Sequence, residues 1–175
     1  SNLICDGNKI TALPCLSSLQ SLSCQSNLFS TLPVLPATLQ YLGCDHNTLT
    51  TLPALASLAE LSCTFCTLTN IPAIPITLAF LNCSNNPIDS LPSLSSLNTI
   101  YCTGDHLTAL PTLPGTLSEL YCDDNLLTSL PLIPSSTTYL SCQNNLITCL
   151  PQFPNAIIYL SLYGNPFTCL ANYVP

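Results

Sequence analysis

Cysteine is the residue with most chemical potential in this chain: there are 12 among 175 residues. Eight form one series, Cys5, Cys24, Cys44, Cys63, Cys83, Cys102, Cys122 and Cys142, spaced by 19 or 20 residues. A ladder of thiolates would bind a soft metal, whereas a ladder of buried thiols behaves as small hydrophobes. The second reading is favoured, because a dry core opposes the charged form. Cys63 and Cys66 make the one C-x-x-C pair of the chain, and no second pair completes a zinc site. Neither a metal nor a cofactor is expected.

Cys149 and Cys169 stand outside the series. They occupy equivalent places in adjacent repeats, which puts their Cα atoms about 5 Å apart, within reach of a disulfide. A bridge closing the last two coils and a pair of reduced thiols both remain open. His46 and His106 have no nucleophile at matching positions and no triad to complete; they are expected to be surface side chains on turns. Asp123 and Asp124 beside Glu119 offer oxygen ligands for Ca²⁺, but the Asp-x-Asp-x-Asp-Gly loop is missing. Five glycines form no phosphate loop. Nothing pairs a general acid with a base in a pocket, and the chain is expected not to be an enzyme.

Composition narrows the partners. Only 5% of residues are charged and the sole basic side chain is Lys9, giving a net charge of −7. Phosphate binding needs clustered Lys and Arg, so nucleic acid is excluded, and docking on an anionic membrane is disfavoured. Hydrophobic content of 47% is too high for a disordered chain. No apolar run approaches the roughly 20 residues of a membrane-spanning helix. Ser1-Asn2-Leu3 lacks the basic start and apolar stretch of a signal peptide, as a mature or excised segment would.

The elements that position these residues follow from an internal repeat. In the coil Leu117 to Ser136, Leu117 is position one, Leu120 four, Cys122 six, Asn125 nine, Leu127 eleven, Leu130 fourteen, Pro131 fifteen and Pro134 eighteen. Equivalent coils start at Leu19, Leu39, Leu58, Leu78, Leu97, Thr137 and Ile157, after a partial coil from Leu3 to Ser18. The coils starting at Leu39 and Leu78 lack the second Pro and are one residue shorter, a deletion placed on the outer arc.

Side chains alternate with period two along a strand, so positions four and six face inward and three, five and seven outward. Parallel strands from successive coils build one sheet. Position nine holds Asn8, Asn27, Asn47, Asn86, Asn125, Asn145 and Asn165, whose amides can satisfy buried turning backbone. Cys66 and Asp105 depart from that series, and Cys66 is expected to be a weak spot. One or two Pro in the return arc block a helix and favour an extended, polyproline-like path. The result is a right-handed solenoid of about nine coils with little or no helix, a single unit over residues 1–175. At roughly 4.8 Å per coil it is about 45 Å long.

The pattern LxxLxCxxNxLTxLPxLPxx resembles the leucine-rich repeat in its short LPX form, over the whole chain. Runs such as Leu81-Asn-Cys-Ser-Asn-Asn, the low charge and the ending from Asn165 to Pro175 resemble secreted and cell-surface leucine-rich-repeat proteins of Bacteroidetes. Bacterial LPX-type effectors also share the form but generally lack Cys at position six. The resemblance implies an extracellular or cell-surface, partner-binding role. It also marks Asp89-Ser90-Leu91 as similar to an O-glycan acceptor, with Ser90 as its candidate.

The outward face is the expected binding site. Tyr41, Glu60, Phe80, Glu119, Tyr139 and Tyr159 stand at position three, Tyr101 and Tyr121 at five, Asp45, Asp123 and Tyr163 at seven. Six of seven Tyr therefore share the concave side. Tyr gives broad, rigid contact area with a polar tip, although it also suits strands as such. A protein or a carbohydrate would fit, bound by an adhesion or recognition module. Two alternatives stand beside this. Uncapped coil ends suggest a segment of a longer protein, such as an effector, or end-to-end stacking of copies into a filament.

Overall fold

The computed structural model describes residues 1–170. Nine three-residue strands form one parallel sheet: β1 (Asn2–Ile4), β2 (Ser21–Ser23), β3 (Tyr41–Gly43), β4 (Glu60–Ser62), β5 (Phe80–Asn82), β6 (Thr99–Tyr101), β7 (Glu119–Tyr121), β8 (Tyr139–Ser141) and β10 (Tyr159–Ser161). Each strand pairs with the next in sequence and position three meets position three throughout, as in Tyr41↔Glu60 and Glu119↔Tyr139. The chain is a parallel solenoid with no helix among the described residues, and hence none long and apolar enough to cross a membrane.

Inward residues give the fold its core. Leu22, Leu42, Leu61, Leu81, Ile100, Leu120 and Leu140 at position four are completely buried, as are the cysteines from Cys24 to Cys142 at position six. Position eleven adds Phe29, Leu49, Leu68, Ile88, Leu107, Leu127 and Ile147. Each fully buried Leu or Ile contributes about 1.5–3 kcal/mol relative to exposure.

A second, two-stranded sheet was not foreseen: β9 (Cys149–Leu150) pairs in parallel with β11 (Cys169–Leu170) at the start of the return arc of the last two coils. The arcs themselves differ by coil length. Where the second Pro is present, its carbonyl accepts the N–H three residues on, as in Pro36 to Leu39 and Pro75 to Leu78, each at 3.0 Å. The short coils omit that turn.

Position eight is left-handed in every coil. Gly7, Ser26, His46, Phe65, Asn85, Gly104, Asp124, Asn144 and Gly164 all have φ between 49° and 76°. Most are not Gly, and each pays the steric cost of that conformation. The return is a hydrogen bond to the next coil, as from Ser26 N–H to Asp45 O at 2.9 Å or Asn144 N–H to Tyr163 O at 2.8 Å. Gly164 has a further reason: a Cβ there would collide with Asn144 Oδ1.

The position-nine asparagines close the core at this edge. Asn47 Nδ2 donates to Cys44 O of its own coil at 2.9 Å and to Cys24 O of the preceding coil at 3.1 Å, while its Oδ1 accepts Phe29 N–H at 3.1 Å. Asn27, Asn86, Asn125, Asn145 and Asn165 likewise bind the strand carbonyl of the preceding coil. Cys66 substitutes with long thiol contacts to Cys44 O at 3.5 Å and Thr64 O at 3.6 Å.

Candidate binding face

The two outer residues of each strand tile one surface, and its C-terminal half is aromatic. Phe80 on β5 lies 5.8 Å between ring centroids from Tyr101 on β6, tilted by 47°. Tyr101 stacks on Tyr121 of β7 at 4.5 Å with planes 1° apart. Tyr139 on β8 and Tyr159 on β10 are 6.2 Å apart at 27°. The parallel register is the cause, since it places Tyr101 beside Tyr121 and Tyr139 beside Tyr159 at about the 4.8 Å strand spacing. Tyr139, Tyr159 and Tyr163 are exposed, whereas Phe80, Tyr101 and Tyr121 are half-buried against their neighbours. The seventh tyrosine, Tyr173, and the end of the Asn165–Pro175 motif lie outside the described residues.

Tyr41 is separate from this row. A Cβ on Gly43 would come within 2.7 Å of the Tyr41 hydroxyl and 2.9 Å of Gln25 Nε2. Tyr41 therefore lies flat over Gly43 instead of standing off the sheet. It borders a shallow depression of about 360 Å³ with Gln20, Ser21, Gln40, Ala59 and Glu60. Burial, then the Asp45 carboxylate, raises its hydroxyl above the ordinary tyrosine range.

The acids divide into two groups. Glu60 is exposed and Glu119 half-buried on the surface. Burial, then Glu119, raises the Tyr101 hydroxyl above its usual range. Asp45 and Asp123, expected at outward position seven, are both engaged by the next coil. Asp45 is 7% exposed; its oxygens accept Ser62 Oγ at 2.8 and 2.9 Å and Thr64 N–H at 2.5 Å. Asp123 accepts Ser141 Oγ and Gln143 N–H, both at 2.6 Å. Asp6 does the same with Ser23 and Gln25, and Ser84 takes Thr103 N–H at 3.1 Å. Just past the strand, the position-seven side chain reaches along the stack and satisfies the next coil.

These four clamps, Asp6, Asp45, Ser84 and Asp123, are each 39 residues apart. The structural unit is thus a pair of coils, one donating the clamp and one receiving it. Thr38, Thr77 and Thr116 follow the same period, their hydroxyls donating to Leu19 O, Leu58 O and Leu97 O. Alternation of 19- and 20-residue spacings was the available signal, and indexing by single coils hides it.

Other candidates find structural places. His46 stacks on Phe65 at 4.7 Å and 6°, one coil apart on the left-handed edge; His106 is exposed. Asp124 Oδ1 accepts Asn144 Nδ2 at 2.8 Å, so the Asp123, Asp124 and Glu119 carboxylates do not converge, and no metal-ligating cluster of three occurs among the described residues. Ser90 is exposed, its hydroxyl donating to Asp89 Oδ1 at 2.8 Å.

The thiol ladder is sealed. Burial pushes Cys24 and Cys142 up to about 12 and raises Cys44, Cys63, Cys83, Cys102 and Cys122 well above the usual thiol range. They remain protonated, and most donate weakly to the neighbouring strand, as Cys122 Sγ does to Ser141 O at 3.4 Å. Cys149 and Cys169 are joined by a disulfide, with Cα atoms 4.9 Å apart.

The sequence matches no protein-family model and no curated protein. Solved structures are similar. YopM, a leucine-rich effector protein from Yersinia pestis, is 29% identical with a TM-score of 0.77 over 93% of this chain and 57% of its own. YopM from Yersinia enterocolitica is 28% identical with a TM-score of 0.86 over 97% of this chain and 41% of its own. A functional domain of InlJ from Listeria monocytogenes, which includes a cysteine ladder, is 26% identical with a TM-score of 0.64 over 93% of this chain and 44% of its own. The chain spans about half the length of these proteins. The fold is a leucine-rich-repeat solenoid, an architecture that generally serves as a protein-interaction scaffold through its extended concave surface.

Proposed function

We propose that this leucine-rich-repeat solenoid is an extracellular recognition or adhesion module that binds a protein or glycan through its concave face. The observation that carries the reading is the aromatic row from Phe80 to Tyr159, held outward on five neighbouring strands. Rigid strands present those rings with little loss of freedom on binding. The Cys149–Cys169 disulfide suits an oxidising compartment, and the InlJ domain similarly carries a cysteine ladder.

A second reading, that the chain is the repeat segment of a bacterial effector, draws on its similarity to YopM and to a Shigella effector leucine-rich-repeat domain. The two readings share a binding role and differ in the compartment where it operates.

Peptide and glycan arrays probed with labelled protein test the binding surface. The triple variant Tyr101→Ser, Tyr121→Ser, Tyr139→Ser should lose its hits, while Leu132→Ser on the return arc should keep them. Hits that survive the triple variant and vanish with Leu132→Ser would move the site to the convex side and end this proposal.

A further inference from the structure

The concave face has one sign of charge. Asp6, Asp45, Glu60, Glu119 and Asp123 lie on it, and the sole basic side chain, Lys9, is exposed beyond the strand β1. Three of the five carboxylates are engaged by neighbouring coils, through neutral Ser hydroxyls and backbone amides and with no cationic side chain among those partners. Glu60 and Glu119 are not held in this way. Glu119 lies close enough to Tyr101 to raise its hydroxyl, behind burial as the larger cause. Aromatic faces and carboxylates therefore share one strip.

Such a strip selects cations. A guanidinium over a tyrosine face is attracted by the ring quadrupole, its plane matches a flat stacked ring, and its donors can take a carboxylate in fork geometry. The Tyr101–Tyr121 pair, parallel to within 1°, with Glu119 alongside, offers both halves of that contact. The row also has the dimensions of a chain. From β5 to β10 it crosses four strand gaps, about 19 Å at roughly 4.8 Å each. That is about six residues of an extended polypeptide at roughly 3.3 Å each, and more than a single small cation covers.

We infer that the concave face binds an extended, arginine-bearing segment of a partner protein, with an arginine side chain stacked on an outer face of the Tyr101–Tyr121 pair beside Glu119. The inference deepens the concave-face reading and rests on it: it names the partner's chemistry.

The test uses a fluorescein-labelled Arg-Ser-Gly repeat of nine residues and a neutral Gln-Ser-Gly counterpart, followed by anisotropy at about 0.15 M salt, where long-range attraction is screened. Variants come from the repeat itself. Ser stands at position five in Ser23, Ser62, Ser141 and Ser161, and Thr99 at position three, so Tyr101→Ser/Tyr121→Ser and Glu119→Thr suit the coil. The tyrosine double variant leaves the net charge at −7, which separates stacking from bulk attraction. The arginine peptide should bind wild type at least tenfold more tightly than the neutral one. The double variant and Glu119→Thr should each remove most of that difference, with circular dichroism unchanged. Equal binding of both peptides, lost in the double variant, would overturn the cationic preference and leave the concave site standing. Arginine-peptide binding untouched by the double variant, or no binding of it at all, would overturn the inference; the first result would count against the aromatic row as the site as well.

Discussion

Asp105 Oδ1 accepts the backbone N–H of Asn86 at 2.8 Å from the position where six other coils place an Asn with an amide bond to the preceding coil. Asp105 is 3% exposed and cannot donate when ionised. Cys83 O and Cys102 O each keep one amide donor, from Asn86 and Asn125, and lack the one an Asn at 105 would supply. Burial raises the Asp105 carboxyl from 3.8 to about 7, opposed by the Asn86 N–H.

The folded chain thus holds a proton that the unfolded chain releases. The folded pKa is the higher, so the stabilisation is complete below about pH 3.8 and is lost as pH rises through about 7. Between pH 5 and pH 8 the unfolding free energy should fall by about 2–3 kcal/mol on this account. Urea melts at both pH values check it. Asp105→Asn should be more stable at pH 8 and should flatten the dependence; an unchanged slope would move the titration elsewhere.

Cys66→Asn applies the same logic without charge. It replaces sulfur contacts of 3.5 and 3.6 Å with amide hydrogen bonds and should gain about 1 kcal/mol. Thermal melts of the single variant and of Cys66→Asn/Asp105→Asn measure it, and near-additive gains are expected, since the two sites are two coils apart.

Much of this fold is legible in the chain. Leu120 and Cys122 point inward because a strand alternates, and Asn125 nine residues into the coil announces a turn with buried backbone. Asp45 was harder. Its parity places it outside, but alternation stops applying at the strand end, where the side chain turns along the stack to Ser62 and Thr64. The left-handed edge is only partly marked in the sequence. Gly, Asn, Asp and His, which favour positive φ, fill seven of the nine position-eight sites, but Ser26 and Phe65 do not mark it, and there the conformation is imposed by hydrogen bonds to the next coil. The stacked pair Tyr101 and Tyr121 follows directly from position five in adjacent coils. What they bind is a property of the partner, and no spacing encodes it.

Asp45 offers a clean division between scaffold and surface. Asp45→Ala removes the acceptor for Ser62 and for Thr64 N–H, and should cost about 1–3 kcal/mol. Glu60→Ala, on the next strand and exposed, should change stability by less than about 0.5 kcal/mol. Chemical denaturation compares them. A neutral Asp45→Ala would mean that its bonds to Ser62 and Thr64 contribute nothing to holding the coils together.

Thiol labelling tests the ladder. Ten cysteines are free; Cys15 is exposed, Cys5 is half-buried, and the other eight are buried. Since the thiolate is the nucleophile and burial raises these groups well above their usual range, a maleimide at pH 7.5 should modify Cys15 first and Cys5 slowly. The rest should react only in denaturant. Mass spectrometry counts the adducts, and rapid labelling of Cys83 or Cys122 in the folded chain would mean that the core is open.

The disulfide makes the last prediction. Cys149 and Cys169 close a loop with a sequence separation of 20 and tie β9 to β11. Both cysteines are exposed, so reductant reaches the bond without unfolding. In the chain-entropy account a loop of this size stabilises by about 3 kcal/mol, but that benefit belongs to the last two coils. Solenoid coils contact only their neighbours, so reduction should loosen the end locally and leave the middle intact. Intact mass should rise by about 2 Da on reduction. Hydrogen exchange should then accelerate at Ile147 and Leu150 while amides of Leu61 and Leu81 stay protected. A mass that does not move would leave two reduced thiols in the native protein and take away the support that the bridge lends to an extracellular site of action. A mass that moves, with exchange rising evenly along the solenoid, would mean that the coils unfold as one cooperative unit.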